Sequence, residues 1–181
     1  MIFQTSQLTL EDRLVLDEIH ATRSELADFL RAPKRWTGGL RRHALAAAIR
    51  GSNSIEGYVV DVDDAAAAVD GEEPLSADEQ TFAEIRGYRQ ALGYVLAMSA
   101  DEHFVIDASA IRGMHFMLLS HDLTKSPGSY RTGPIFVHDE AADAQVYAAP
   151  DASTVAGLVD ELVASLADDR DDALVQAAMA H

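Results

Sequence analysis

Ser52-Asn53-Ser54-Ile55-Glu56-Gly57 closes an alanine-rich run, Leu40 to Ile55, whose composition predicts a closely packed helix. Three small polar residues, one apolar residue and a carboxylate lead into a glycine, and Gly51 weakens the run just before them. By itself, Ser52 is a helix-capping residue and Glu56 a solvated charge at a helix end. What flanks the hexapeptide gives it a second meaning.

Upstream, Thr9-Leu10-Glu11-Asp12 has the form of a helix start, with Thr9 as N-cap and acidic residues in the first turn. Leu16, Ile19, Leu26, Phe29 and Leu30 then recur at helical spacing and define one apolar face. Pro33 should end this helix, and Gly38-Gly39 should act as a hinge. Downstream, Asp61 to Asp70 holds four consecutive alanines and predicts a short helix stopped by Gly71, with a loop through Pro74. Ser76-Ala77-Asp78-Glu79 has capping-box spacing and opens a helix carrying Phe82, Ile85, Leu92, Val95 and Leu96 on one side. Another helix follows Asp107, with Ile111, Met114, His115, Leu118 and Leu119 on one face.

From Leu123 to Pro150 the pattern changes. Pro127-Gly128 is turn chemistry, and two β-like runs, Ile135 to His138 and Gln145 to Tyr147, flank an acidic loop and predict a small hairpin. Asp151 then caps an amphipathic helix bearing Val155, Leu158, Val159, Leu162, Val163 and Leu166. Asp168-Asp169-Arg170-Asp171-Asp172 is a charged break before Ala173 to His181, which is apolar nearly all round, as expected of a buried helix. That last run stops without a glycine or polar C-cap, so the expectation is an element that a longer protein continues.

Composition narrows the classes. The 181 residues suit one domain, or one with a small appendage, and are 48% apolar and 24% charged. The chain has no cysteine, which excludes disulfides and thiolate metal sites, and none of its seven histidines sits in an H-E-x-x-H spacing. No signal-peptide pattern and no membrane-spanning run occur, so no membrane partner and a cytoplasmic location are expected. A formal charge of −16 opposes a phosphate backbone, which disfavours nucleic acid.

The ordered set of features resembles the N-terminal part of a Fic (Fic/Doc) domain protein with an N-terminal inhibitory helix, a family of protein adenylyltransferases. Ser52, Glu56 and Gly57 occupy the fixed positions of its S/T-x-x-x-E-G/N inhibitory motif. Glu79 to Ala97 looks like the long family helix, Ile111 to Leu119 like its Leu-His helix, and Pro127-Gly128-Ser129-Tyr130-Arg131 matches its P-G-x-Y/F-R turn. Ile135 to Tyr147 falls where the family places a flap that docks the target as an added strand, which makes Ile135, Phe136, Val137 and His138 candidate docking residues. Ala177 to His181 looks like the helix leading to the catalytic loop, yet H-P-F-x-D/E-G-N-G-R is absent. Agreement between several levels gives the resemblance its weight.

The resemblance implies a mainly α fold, a Fic-like helical bundle with one small β-hairpin, divided into residues 1–75 with the inhibitory motif and 76–181 as the start of the Fic-like domain. It also implies AMP transfer from ATP, with Mg2+, to a hydroxyl on a target protein, with a homodimer among the options. Glu56 would then pair with a phosphate-binding arginine that is not in this chain, a strong bidentate contact when shielded. No catalytic or metal-binding residue is assigned here: His181 lacks the loop that would follow it, and His115 is expected to be a core histidine satisfied by one hydrogen bond. Pro127, Gly128 and Arg131 are expected to be structural, and His138 stays open between exposed strand residue and target contact. Two rival readings remain: an inhibitory module acting in trans on a Fic partner, and an acidic helical scaffold without a nucleotide link.

Overall fold

The computed structural model describes residues 7–30, 36–55, 57, 60–72, 78–139, 144–167 and 172–180. Among them are seven α-helices: α1 (Leu10–Leu30), α2 (Thr37–Ile55), α3 (Val62–Asp70), α4 (Glu79–Met98), α5 (Ala108–Leu119), α6 (Val155–Leu166) and α7 (Ala173–Ala180). One antiparallel pair, β1 (Phe136–Asp139) and β2 (Ala144–Ala148), lies between α5 and α6. The mainly helical class with a single hairpin is therefore as expected. No helix among the described residues is long and apolar enough to cross a membrane. The chain divides into two compact units, with the boundary between Ile85 and Arg86 inside α4.

In the first unit, α1 begins where the sequence predicts. Thr9 Oγ1 accepts from the Asp12 amide at 3.2 Å, and the Asp12 carboxylate accepts from the Thr9 amide at 2.8 Å, closing a reciprocal box. Its face is another matter: Ile19 and Leu26 are exposed, and only Leu16 among the described face residues is half-buried. The expected hinge at Gly38-Gly39 is instead the first turn of α2, where the Leu40 amide already donates to the Trp36 carbonyl at 3.0 Å. Burial further along α2 outweighs the weak glycine propensity there. Ala46 and Ile49 of α2 and Ala65 and Ala68 of α3 are buried, and small side chains let the two helices approach closely. Complete burial of Ile49 contributes about 1.5–3 kcal/mol. Asp61 caps α3 by accepting from the Asp63 amide at 2.9 Å, and Gly71 closes it in the left-handed region.

The start of α4 differs from expectation by two residues. Asp78 is a capping acceptor, with its Oδ1 2.7 Å from the Thr81 amide. The aspartate lies directly before the helix; Ser76, the expected cap, lies outside the described residues. The buried face also rotates, taking in Thr81, Ile85 and Ala91 while Val95 and Leu96 are exposed.

In the second unit, Asp107 caps α5 through the Ala110 amide at 2.7 Å. Asp107→Ala should lower stability by about 1 kcal/mol in urea titration. Gly87 of α4 meets the end of α5 so closely that a Cβ there would lie 2.5 Å from the Leu118 carbonyl oxygen. Tyr94 and Phe104 meet edge to face with ring centroids 6.1 Å apart, tying α4 to the segment before α5. The six predicted apolar residues of α6 are all half-buried, and most of the intervening residues are exposed. For α7 the expectation of a buried helix is corrected. Asp172 caps it through the Leu174 amide at 2.8 Å, but no residue of α7 is buried, and Leu174 is 44% exposed. An apolar periodicity reports what a helix could bury, whereas burial needs a neighbouring element on each side.

Four carboxylates at helix and turn starts are held below their ordinary range. The Thr9 hydroxyl and then its amide lower Asp12, the Thr81 amide and then its hydroxyl lower Asp78, and Thr124 hydroxyl and amide lower Asp122. Asp151 is lowered by the Ser153 hydroxyl, then by the Ser153 amide and the charge of Arg131. A depressed folded value stabilises above the unfolded carboxylate pKa of about 3.9 and stops doing so as pH falls through the folded value. The stability gap between the native chain and Asp151→Ala should therefore be constant from pH 7 to 5 and shrink below about pH 4, as read by denaturation midpoints.

Candidate functional site

The hexapeptide forms the last turn of α2. Asn53 is buried and its Nδ2 donates to the Ile49 carbonyl at 2.8 Å, while Ser54 Oγ donates to the Gly51 carbonyl at 2.7 Å. These bonds return to carbonyls one turn back, which anchors the small polar residues inside the helix end. Ser52 is half-buried. The helix stops at Ile55, and Gly57 follows with φ +87° and its amide 3.2 Å from the Ser54 carbonyl. Glu56 itself lies outside the described residues. The motif's glycine thus has a local explanation: it takes the left-handed conformation that ends the helix.

The turn Pro127–Arg131 sits on α5. The Gly128 amide donates to His115 Nδ1 at 3.0 Å, and the Gly128 carbonyl accepts from Arg112 Nε at 2.8 Å. Two residues one helical turn apart therefore hold both polar groups of a single peptide residue. Arg112 also lies over the Tyr130 ring, 5.2 Å from its centroid. With φ +73°, and a would-be Cβ 3.2 Å from Phe116 Cβ and 3.3 Å from the Arg112 carbonyl oxygen, position 128 admits only glycine without strain. His115 is the half-buried, singly satisfied histidine expected from the sequence, with Nδ1 as acceptor. Arg112 was not singled out by sequence; its signal is the Arg112–His115 spacing of three, which puts both on the face that meets the turn.

Arg131 joins this turn to the far end of the hairpin. One guanidinium nitrogen donates to the Gly133 carbonyl at 2.8 Å and another to the Pro150 carbonyl. Its charge also bears on Asp151, the cap beyond Pro150. Arg131→Ala should cost about 1–3 kcal/mol in urea denaturation, and lysine should restore little because one ammonium cannot span both carbonyls.

Between these anchors the hairpin stands in solvent. Phe136 pairs with Ala148 and Val137 with Tyr147, after which the register slips so that His138 pairs with Gln145, leaving Val146 as the extra residue of β2. The Ala149 amide donates to the Ile135 carbonyl at 2.9 Å, extending the ladder by one bond. Ile135, Phe136, Val137 and His138 are all exposed. The structure thus brings Pro127, Gly128, Arg131 and the hairpin together in one unit; Ser52 and Gly57 belong to the other unit. Among the described residues, no three His, Asp or Glu side chains converge as a cation site.

Comparison with protein-family models and with curated proteins finds no match. Among solved structures, a Fic family protein from Desulfovibrio desulfuricans G20 is similar, with a TM-score of 0.73 and 23% identity. The match covers 98% of this chain and 51% of that one, so the chain spans about half the length of its structural neighbour. The long α4, the α5 helix with its docked Pro-Gly turn and the following hairpin are accordingly elements of a Fic-like fold.

Proposed function

We propose that this chain is the N-terminal portion of an autoinhibited Fic-type protein adenylyltransferase, which moves AMP from ATP to a hydroxyl side chain of a target protein, with Glu56 as the inhibitory carboxylate. The observation that carries the reading is a Fic-like fold over 98% of the chain in which Ser52–Gly57 closes α2. In this reading the buried Asn53 and the left-handed Gly57 fix the end of α2 at the inhibitory motif. The exposed hairpin offers main-chain groups and apolar side chains to a target segment, and Arg131 holds its base. The loop that handles ATP and Mg2+ comes from residues outside these 181, since H-P-F-x-D/E-G-N-G-R is not among them.

Incubated alone with ATP labelled on its α-phosphate, the 181-residue chain should transfer no AMP to itself or to added protein. Joined to a segment that bears the missing loop, it should transfer AMP to protein hydroxyls. Robust transfer by the 181 residues alone, or none by the joined protein even with Glu56 removed, overturns the reading. Suppression of a separate Fic enzyme by the isolated chain would instead favour the trans-acting module.

A further inference from the structure

The apolar face of α1 is a feature that the proposed function leaves unused. Val15, Ile19 and Leu26 are 50%, 43% and 53% exposed, and with Thr22 they line one continuous shallow groove along the helix. Their separations are four, three and four residues, which is the a/d spacing of a coiled-coil seam rather than the broader stripe of a helix lying on a globular core. At 21 residues, α1 is three heptads, or about 31 Å, long.

The charges beside the seam say which partner fits. One flank carries Glu11, Glu18 and Glu25, seven residues apart; the other carries Thr9, Leu16 and Arg23. In a parallel pair, a residue on the first flank faces the residue five positions on along the second flank of the other helix. Glu18 of each copy then faces Arg23 of the other, and two-fold symmetry makes this contact twice. An antiparallel pair would set the glutamate flank against itself. With a formal charge of −16 per chain, two copies repel unless the contact supplies local compensation, and this one does.

We propose that α1 is a self-association surface: two copies of this chain pair α1 in parallel through Val15, Ile19, Thr22 and Leu26, with Glu18 of each against Arg23 of the other. The seam from Val15 to Leu26 is 12 residues, under two heptads, with a threonine in it and an aspartate (Asp12) at the next seam position. With one charge pair per side it makes a modest contact, so the dimer forms and dissociates with concentration.

Sedimentation velocity on the purified chain over a concentration series tests this. The native chain should shift from monomer towards dimer as concentration rises, and Ile19→Glu with Leu26→Glu should stay monomeric with its far-UV helical signal retained. Charge exchange supplies the sharper arm, because it leaves the apolar seam intact. Glu18→Arg alone and Arg23→Glu alone should each raise the dissociation constant about tenfold. An equimolar mixture of these two variants should recover association, since each copy then meets an opposite charge on both flanks. A chain monomeric throughout the series, or a dimer indifferent to the charge exchanges and not recovered by the mixture, overturns the proposal.

Discussion

Gly87→Ala should lower stability by about 2 kcal/mol, although alanine is the better helix former. Intrinsic propensity alone would favour alanine by about 1 kcal/mol in the middle of α4. Against this, the added Cβ would lie 2.5 Å from the Leu118 carbonyl oxygen and 3.0 Å from both the Leu118 carbonyl carbon and the Met117 oxygen. All three are backbone atoms near the end of α5, so no side-chain rotation relieves the contact; α4 and α5 must separate. Overpacking of that kind costs about 1–3 kcal/mol and exceeds the propensity gain. Gly93 supplies the control on the same helix, because a Cβ there meets nothing within 4 Å. Urea titration should show Gly93→Ala unchanged or stabilised by up to about 1 kcal/mol and Gly87→Ala destabilised. Equal effects at the two positions would show that α4 and α5 do not approach at Gly87.

The second large effect concerns activity and rests on the proposed function. In a protein joining these residues to the missing loop, Glu56→Gly should raise AMP transfer by about 10- to 100-fold. A hydrogen-bonded charge pair is worth about 1.5–3 kcal/mol, and each 1.4 kcal/mol released to productive nucleotide binding is a factor of ten. Glu56→Gln, which keeps shape and loses charge, should recover most of the increase. The measurement is incorporation of α-labelled AMP at fixed ATP. Removing Glu56 should leave urea stability within about 0.5 kcal/mol, which separates an effect on activity from one on folding. Unchanged transfer in both variants would leave Glu56 an ordinary helix-end charge.

Local chemistry was the most legible part of this sequence. Asp107 accepts the amide that an N-cap must accept, and Pro127-Gly128 makes a turn, because each depends on neighbours a few residues away. Asp151 caps as expected, but it caps the single 3-10 turn Ala152–Thr154 that runs into α6, whose own N-cap, Thr154, makes no side-chain capping bond. The face of α6 was legible too, since its branched apolar residues recur at three- and four-residue spacing and leave one burial pattern for a helix. What failed depended on distant partners. Gly38-Gly39 lost its hinge to a helix continued by the packing of α2, and α7 proved exposed despite its composition. In the candidate site, His115 has the single hydrogen bond expected of it, though it is half-buried rather than a core residue. Arg112 was missed because its three-residue spacing from His115 shows that the two share a face but not that a carbonyl 16 residues later will meet it.

The extra residue at Val146 has a consequence for how this protein behaves at high concentration. Phe136, Val137, Val146 and Tyr147 make a short, apolar, solvent-facing ribbon, the kind of edge from which chains grow into sheets. A growing sheet needs an uninterrupted row of donors and acceptors at constant spacing. The bulge breaks that row after two residue pairs and increases the local twist, so a third strand laid along β2 loses its frame on passing Val146. Deleting Val146 should straighten the ribbon and make it sticky, and in that sense an imperfection in the hairpin guards the protein against aggregation.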